Sequence, residues 1–420
     1  MKKQIALLFT TLTMLLAGCN NKAIDTDWPE QTNENKPWTR WWWMGNDLDS
    51  ANLTYNLEAL SEAGIGGVEI TPIYGVKGRE EHYIDYLSPR WMEMLSFTLS
   101  EASRLGMGVD MNNGTGWPFG GPEVSVEDAA SNALFRGYFL PGGESLQEPV
   151  EVMQERQKAF ARLEKLMAYS REGEVLDLTD MVDQEGNVDW VAPQGSSWSL
   201  LAQFIGKTGQ QVKRAAPGGQ GYVLDHLDRD AVKRYLDGFD KAFATNSTPY
   251  PNTFFNDSYE VYGADWTPTL LDEFEKRRNY KLQDHLPDLL ADGATEQSAR
   301  VIADYRETVG EILLENFTIP WTEWAHGHGV KTRNQAHGSP ANLIDLYAAV
   351  DIPECESFGI TDFDLPGLRK DSIRKENDSD PTILKYASSA AHITGKPYTS
   401  SETFTWLTEH FRTSLSQAKP

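Results

Sequence analysis

Thr253-Phe254-Phe255-Asn256-Asp257-Ser258-Tyr259-Glu260 is a short apolar run that turns polar at its end. Phe254 and Phe255 suit a buried strand, and Asn256, Asp257 and Glu260 follow where that strand would leave the core. The same signature recurs along the chain. Residues 67–71 (Gly-Val-Glu-Ile-Thr) carry Glu69, 107–112 end in Asn112, and 330–335 carry Asn334. Residues 352–358 hold Glu354 and Glu356, 397–404 hold Glu402, and 38–44 form a further hydrophobic run. Between these runs lie segments of helical spacing, at 53–63, 90–105, 270–278, 302–326, 343–350 and 383–393, with a last one from about residue 409. Strand and helix in alternation predict a parallel α/β fold.

Two such architectures compete, a doubly wound sheet and a closed (β/α)8 barrel. A doubly wound sheet gathers its site at one switch point and usually shows a Gly-rich phosphate turn, and the chain has none. Polar residues at the ends of many successive strands are the barrel's habit, because its site is assembled from all of them. The expectation is therefore a (β/α)8-type barrel over residues 37–119 and 226–420. Seven strands can be counted and an eighth is missing, since the sequence stops at Pro420 where it should begin. On this reading the sequence is part of a longer protein. Residues 120–225 break the rhythm, with turn signals at Pro141-Gly142-Gly143, Glu185-Gly186-Asn187 and Pro217-Gly218-Gly219. They are expected to form an inserted β-rich subdomain, since about 100 structureless residues are rare in a compact domain.

Composition narrows the function. Against 38 Lys+Arg stand 62 Asp+Glu, a net charge of −24, which repels phosphate backbones and excludes a nucleic-acid partner. Only two cysteines occur, Cys19 and Cys355, so neither a disulfide framework nor a Cys-rich zinc site is available. His326 and His328 are two apart, the wrong spacing for one helical face. At the N-terminus, Lys2 and Lys3 precede an apolar run too short to span a bilayer, followed by Leu16-Ala17-Gly18-Cys19. This resembles the lipobox of bacterial lipoproteins. It predicts a signal over 1–19, lipidation at Cys19, a polar tether over 20–36, and an exported, membrane-anchored protein facing the periplasm or the cell surface.

The candidate chemistry is carboxylate chemistry. Glu260 follows the fourth strand, where burial can raise its pKa enough to make it a proton donor. Glu402 ends the seventh, and carboxylates on strands four and seven can face one another across a barrel mouth, as glycoside hydrolysis needs. Glu354 and Glu356 are two apart and share a side of the sixth strand, leaving Cys355 to point the other way as a buried thiol. Glu69, Asn112, Asp257 and Asn334 are candidate sugar-binding residues at strand ends, and His337 could orient a hydroxyl or simply stabilise its loop. Indole faces pack on sugar rings, so Trp117, together with Trp41, Trp42, Trp43, Trp266 and Trp406, is a candidate platform.

Several of these segments look familiar. Arg40-Trp41-Trp42-Trp43-Met44-Gly45-Asn46, Ala63-Gly64-Ile65-Gly66-Gly67-Val68-Glu69-Ile70, the 256–260 run and the Glu402 segment resemble glycoside hydrolase family 106, the α-L-rhamnosidases. The resemblance runs from about residue 37 to the end. It implies exo-acting release of α-L-rhamnose from a plant-type polysaccharide, inversion on a (β/α)8 barrel, and a calcium ion near the sugar. By position, Glu260 matches the family's general acid, and Glu402 with Glu354 or Glu356 matches the carboxylates around the base. Two alternatives stay open: a retaining β-glycosidase on the same barrel, and a non-catalytic glycan-binding lipoprotein.

Overall fold

The computed structural model describes residues 32–358 and 381–405. The leader with Cys19, most of the tether, Trp406 and the helix expected from about residue 409 lie outside them. Seven parallel strands form one sheet whose spatial order follows the chain. They are β1 (Trp38–Met44), β2 (Gly67–Ile73), β3 (Gly108–Asn112), β4 (Thr253–Asn256), β5 (Lys331–Asn334), β6 (Ile352–Phe358) and β7 (Ser400–Thr405). A sheet that adds each new strand on the same side curls into a barrel wall, and this one curls far. Arg40 on β1 forms an ion pair with Glu402 on β7, at 3.0 Å, although the two strands share no backbone ladder. Two long side chains can bridge about two strand spacings, roughly 10 Å, so the edges nearly meet.

Helices cover the outside of the curl. The first two are α1 (Ser50–Glu62), capped by the Asp49 carboxylate, and α2 (Pro89–Arg104), started by Ser88 with proline in its first turn. Gly106, at φ +67°, takes the left-handed conformation that ends α2 and lets the chain enter β3. Next comes α3 (Arg229–Asn246), which no sequence expectation covered. Its buried Ala231, Val232, Tyr235, Leu236, Phe239 and Phe243 form a helical stripe against the sheet. The helix expected over 302–326 is instead two, α4 (Glu296–Leu313) and α5 (Ile319–Gly327), joined by a π-helical turn at Leu314–Thr318. Pro320 has no N–H to give the carbonyl four residues back, and the helix loosens where that bond is lost. The last two are α6 (Leu343–Ala348) and α7 (Pro381–Thr394). Among the described residues no helix is long and apolar enough to cross a membrane.

Residues 131–207 leave the barrel wall after β3. They make a four-stranded antiparallel sheet ordered Ser131–Leu140, Trp198–Lys207, Arg162–Ser170, Val175–Asp177. Leu166, Trp198 and Leu200 anchor an apolar cluster of its own, while Met167 and Ile205 turn back into the main core. The segment that follows, around Lys213, runs back along the barrel mouth, where Lys213 and Trp117 exchange backbone hydrogen bonds. Trp43 and Trp266 are core residues, 1% and 0% exposed, which removes them as sugar platforms. Trp42, by contrast, is half exposed on the β1 edge and shares a strand face with Arg40.

Candidate active site

The interior of the curl is organised by two arginines. Arg40 of β1 binds Glu69 at 2.9 Å, Asp257 at 3.2 Å and Glu402 at 3.0 Å. Arg333 of β5 binds Glu69, reaches Asp110 at 3.4 Å and binds Glu354 at 3.1 Å. Both guanidiniums lie over the buried ring of Phe255, at 5.1 and 4.7 Å from its centroid. The pattern follows from strand alternation. Phe255 on β4 and Arg333 on β5 are in register, as are Arg40 on β1 and Glu69 on β2. The sequence reading singles out neither arginine, although a charged side chain in the interior of a predicted strand is rarely buried unless it is paired.

Five carboxylates share these two cations, and the imbalance sets their protonation. Glu69 sits between both arginines, which outweigh its burial and hold its carboxyl below the ordinary range. Asp110 is pushed up to about 7 by burial, with Glu69 and Glu354 adding to it. Burial also raises Asp257 to about 6 and Glu402 to about 8, against the pull of Arg40. Too few cations for the charge means protons are retained.

Around β6 and β7 the carboxylates converge. Glu356 lies directly opposite Glu402 in the parallel ladder, and Glu354 opposite Ser400. The Gln335 amide donates to both Glu354, at 2.9 Å, and Glu402, at 2.8 Å. The Thr405 hydroxyl lies 2.8 Å from Glu356 and 3.4 Å from Glu402. His337 holds Glu356 through Nε2 at 2.9 Å, and its carbonyl accepts from the Tyr259 N–H at 3.2 Å. His337 therefore ties the loop before Glu260 to the carboxylates of β6 and β7. Gly338, at φ +83°, makes the approach possible, because a Cβ there would lie 2.7 Å from the Tyr259 carbonyl.

Glu260 itself is placed differently from the expectation. Its side chain is part-exposed and binds Lys213 and, at 2.9 Å, the Tyr262 hydroxyl, with the Trp117 side chain also donating. Burial would push its carboxyl up, but Lys213 and Tyr262 outweigh burial and lower it. Expected as a proton donor raised by burial, it is instead held as an anion in this state, and among the described residues it shares no bonded partner with Glu356 or Glu402. The interior does hold raised carboxyls, and Glu402 stands highest among those that reach solvent, at 25% side-chain exposure.

The remaining expected residues divide. Glu69, Asp257 and Glu354 belong to the charged interior. Asn112 donates to the Gly116 carbonyl at 2.6 Å and so braces the turn that carries Trp117. Asn334 accepts from Asn256 at 2.7 Å; it lies between Arg333 and Gln335 and so faces away from the carboxylates they hold. Cys355 is a buried free thiol that burial pushes up. For calcium the donors are a poor match: Glu69, Glu354, Glu356 and Glu402 are each bound by protein donors. Among the described residues no three carboxylates, histidines or cysteines are grouped to hold an ion, and no step below is routed through one.

The chain matches the model of the glycoside hydrolase family 106, described as alpha-L-rhamnosidase, over residues 29–162 and 149–420. A protein of Formosa agariphila provisionally named a beta-glucuronidase is 25% identical over 89% of this chain. The rhamnosidase structure from Novosphingobium sp. PP1Y superposes over 92% of the chain with a TM-score of 0.76, at 17% identity. The chain spans 34% of the first and 54% of the second.

Proposed function

The chain belongs to glycoside hydrolase family 106, the alpha-L-rhamnosidase family, and from that premise we propose that it is an exo-acting hydrolase releasing terminal α-L-rhamnose from a plant-type polysaccharide with inversion. The observation that carries this reading is the convergence of Glu356 and Glu402, in register on β6 and β7, with the loop of Glu260 tied to them through His337. Inversion needs one carboxyl to protonate the leaving oxygen and another to hold the attacking water on the opposite face of the ring. In the proposal Glu260 is the acid, and Glu356, oriented by His337, holds the water together with Glu402. For Glu260 to donate, substrate must loosen the Lys213 contact so that the carboxyl regains its proton. A second assignment has its own support: Glu402, with its pKa pushed up to about 8, is already a proton carrier. In that assignment Glu402 is the acid.

Incubation with p-nitrophenyl α-L-rhamnoside, with the product anomer followed by NMR, tests the proposal. Release of β-rhamnose supports it. Initial release of the α-anomer indicates retention, and absence of turnover favours a glycan-binding role. The calcium ion stays in the proposal on the family resemblance alone, and hydrolysis that survives exhaustive EGTA treatment removes it. The lipid anchor rests on Leu16-Ala17-Gly18-Cys19; loss of palmitate labelling in Cys19→Ala is the expected result.

A further inference from the structure

Lys213 and Arg214 are consecutive, yet their surroundings differ. Lys213 is engaged by Glu260 and by Tyr262, whose hydroxyl lies 2.8 Å away. Arg214 is exposed, and its guanidinium sits 5.0 Å from the Trp117 ring and 5.3 Å from the Tyr74 ring. Its contacts among the described residues are these rings; no carboxylate there neutralises it. The seat is rigid. The Tyr74 N–H donates to the Arg214 carbonyl at 2.9 Å, and Lys213 and Trp117 are bonded backbone to backbone at 2.9 and 3.2 Å. A Cβ on Gly116 would stand 1.8 Å from the Lys213 carbonyl, so the two segments touch. Tyr74 and Arg214 both take left-handed conformations, at φ +46° and +60°, which bulky residues avoid unless the surroundings impose them. Such positions concentrate at ligand clamps.

Location gives the clamp its meaning. Arg214 is one residue from the lysine that grips Glu260, and a general acid faces the leaving-group oxygen. We propose that Arg214, seated between Tyr74 and Trp117, is a specificity residue that binds an anionic substituent on the sugar to which the rhamnose is attached. The substituent is a uronate carboxylate or a sulfate ester. Placing it on the leaving-group side rests on reading Glu260 as the acid. A guanidinium fork matches the oxygens of either group with two N–H donors, and aromatic faces hold it flat while leaving its edge free. On a chain of net charge −24, anionic polymers are otherwise repelled, so a cation that no carboxylate neutralises among the described residues favours those that can pair with it.

Calorimetric titration of the chain with digalacturonic acid, its dimethyl ester and a sulfated galactobiose tests this. At low salt the free acid should bind about tenfold more tightly than the ester, the scale of one charge-assisted pair. Arg214→Gln should level the two affinities with an unchanged thermal transition, and Arg214→Lys should keep part of the preference. Tighter binding of the sulfated disaccharide than of the acid supports the proposal and identifies sulfate as the source. Equal affinity for acid, ester and sulfated disaccharide in the unmodified chain, a preference that survives Arg214→Gln, or no binding of any of the three overturns it. Because binding is read rather than turnover, failure to hydrolyse p-nitrophenyl α-L-rhamnoside counts against the rhamnosidase reading and leaves this result standing.

Discussion

Arg40 and Glu402, on the first and seventh strands of the sheet, meet at 3.0 Å with no backbone pairing between those strands. The contact draws the two edges of the curl together and places a cation against a candidate catalytic carboxylate. Arg40 serves Glu69 and Asp257 as well, so its removal takes a cation from three carboxylates at once, of which Glu69 keeps Arg333.

Arg40→Met should cost about 3–5 kcal/mol near neutral pH, the usual loss when one partner of a buried ion pair is removed. The sign with pH follows from Glu69, whose carboxyl lies below its ordinary value in the folded chain. Stability from such a group is present above its unfolded pKa and is lost as pH falls through the folded one. The penalty of the substitution should therefore be full at pH 7 and shrink towards pH 3. A difference in denaturation midpoint that is flat across that range would show that the Arg40 contacts carry no net stability.

Glu402→Gln should do the reverse. Its folded carboxyl is raised to about 8, burial being the main cause. The folded chain then binds the extra proton, and the cost of ionising Glu402 grows as pH rises from about 4.5, full only above 8. The glutamine, which never ionises, should raise the melting temperature at pH 9 and change it little at pH 4. An equal shift at both pH values would mean that Glu402 is not the raised group.

The site was legible in sequence only in part, and the reason is range. Strand ends rich in Glu and Asn were visible because the change from apolar to polar is local. Arg333 and Glu69, however, are 264 residues apart, and Arg40 and Asp257 are 217 apart. No local pattern announces a pair at that distance, so the arginines that organise the interior passed unnoticed. Alternation could have found more: Arg333 and Gln335 share a strand face that excludes Asn334. The helix at Arg229–Asn246 carried full signals, an Asp228 cap and an apolar stripe, but they sat at the border of the region read as an insertion.

Lys213→Met tests the assignment of the acid. Lys213 and Tyr262 keep the Glu260 carboxyl below its ordinary value. Without the lysine its pKa should rise, and if Glu260 is the proton donor the alkaline limb of kcat/KM should move upward by about one pH unit, the scale of a lost charge partner. Glu260→Gln should in turn lose about 10²–10⁴-fold on poor leaving groups and less on aryl rhamnosides. An alkaline limb that stays in place in Lys213→Met, with a leaving-group dependence appearing in Glu402→Gln instead, would transfer the role to Glu402.

His337 joins the two halves of the proposed mechanism, through Nε2 to Glu356 and through its carbonyl to the Tyr259 N–H. Only the first link uses the side chain. His337→Phe should therefore leave the backbone tie in place while loosening Glu356, which keeps only the Thr405 hydroxyl of its two side-chain partners. A misplaced carboxylate still lets substrate bind but seldom holds the water in line, so kcat should fall roughly 10–100-fold with KM changed less than about threefold. His337→Gln keeps a donor on that side and should recover part of the loss. A rise in KM with kcat preserved would mean that His337 contacts the sugar directly, and an undiminished rate in His337→Phe would remove Glu356 from the water-holding role.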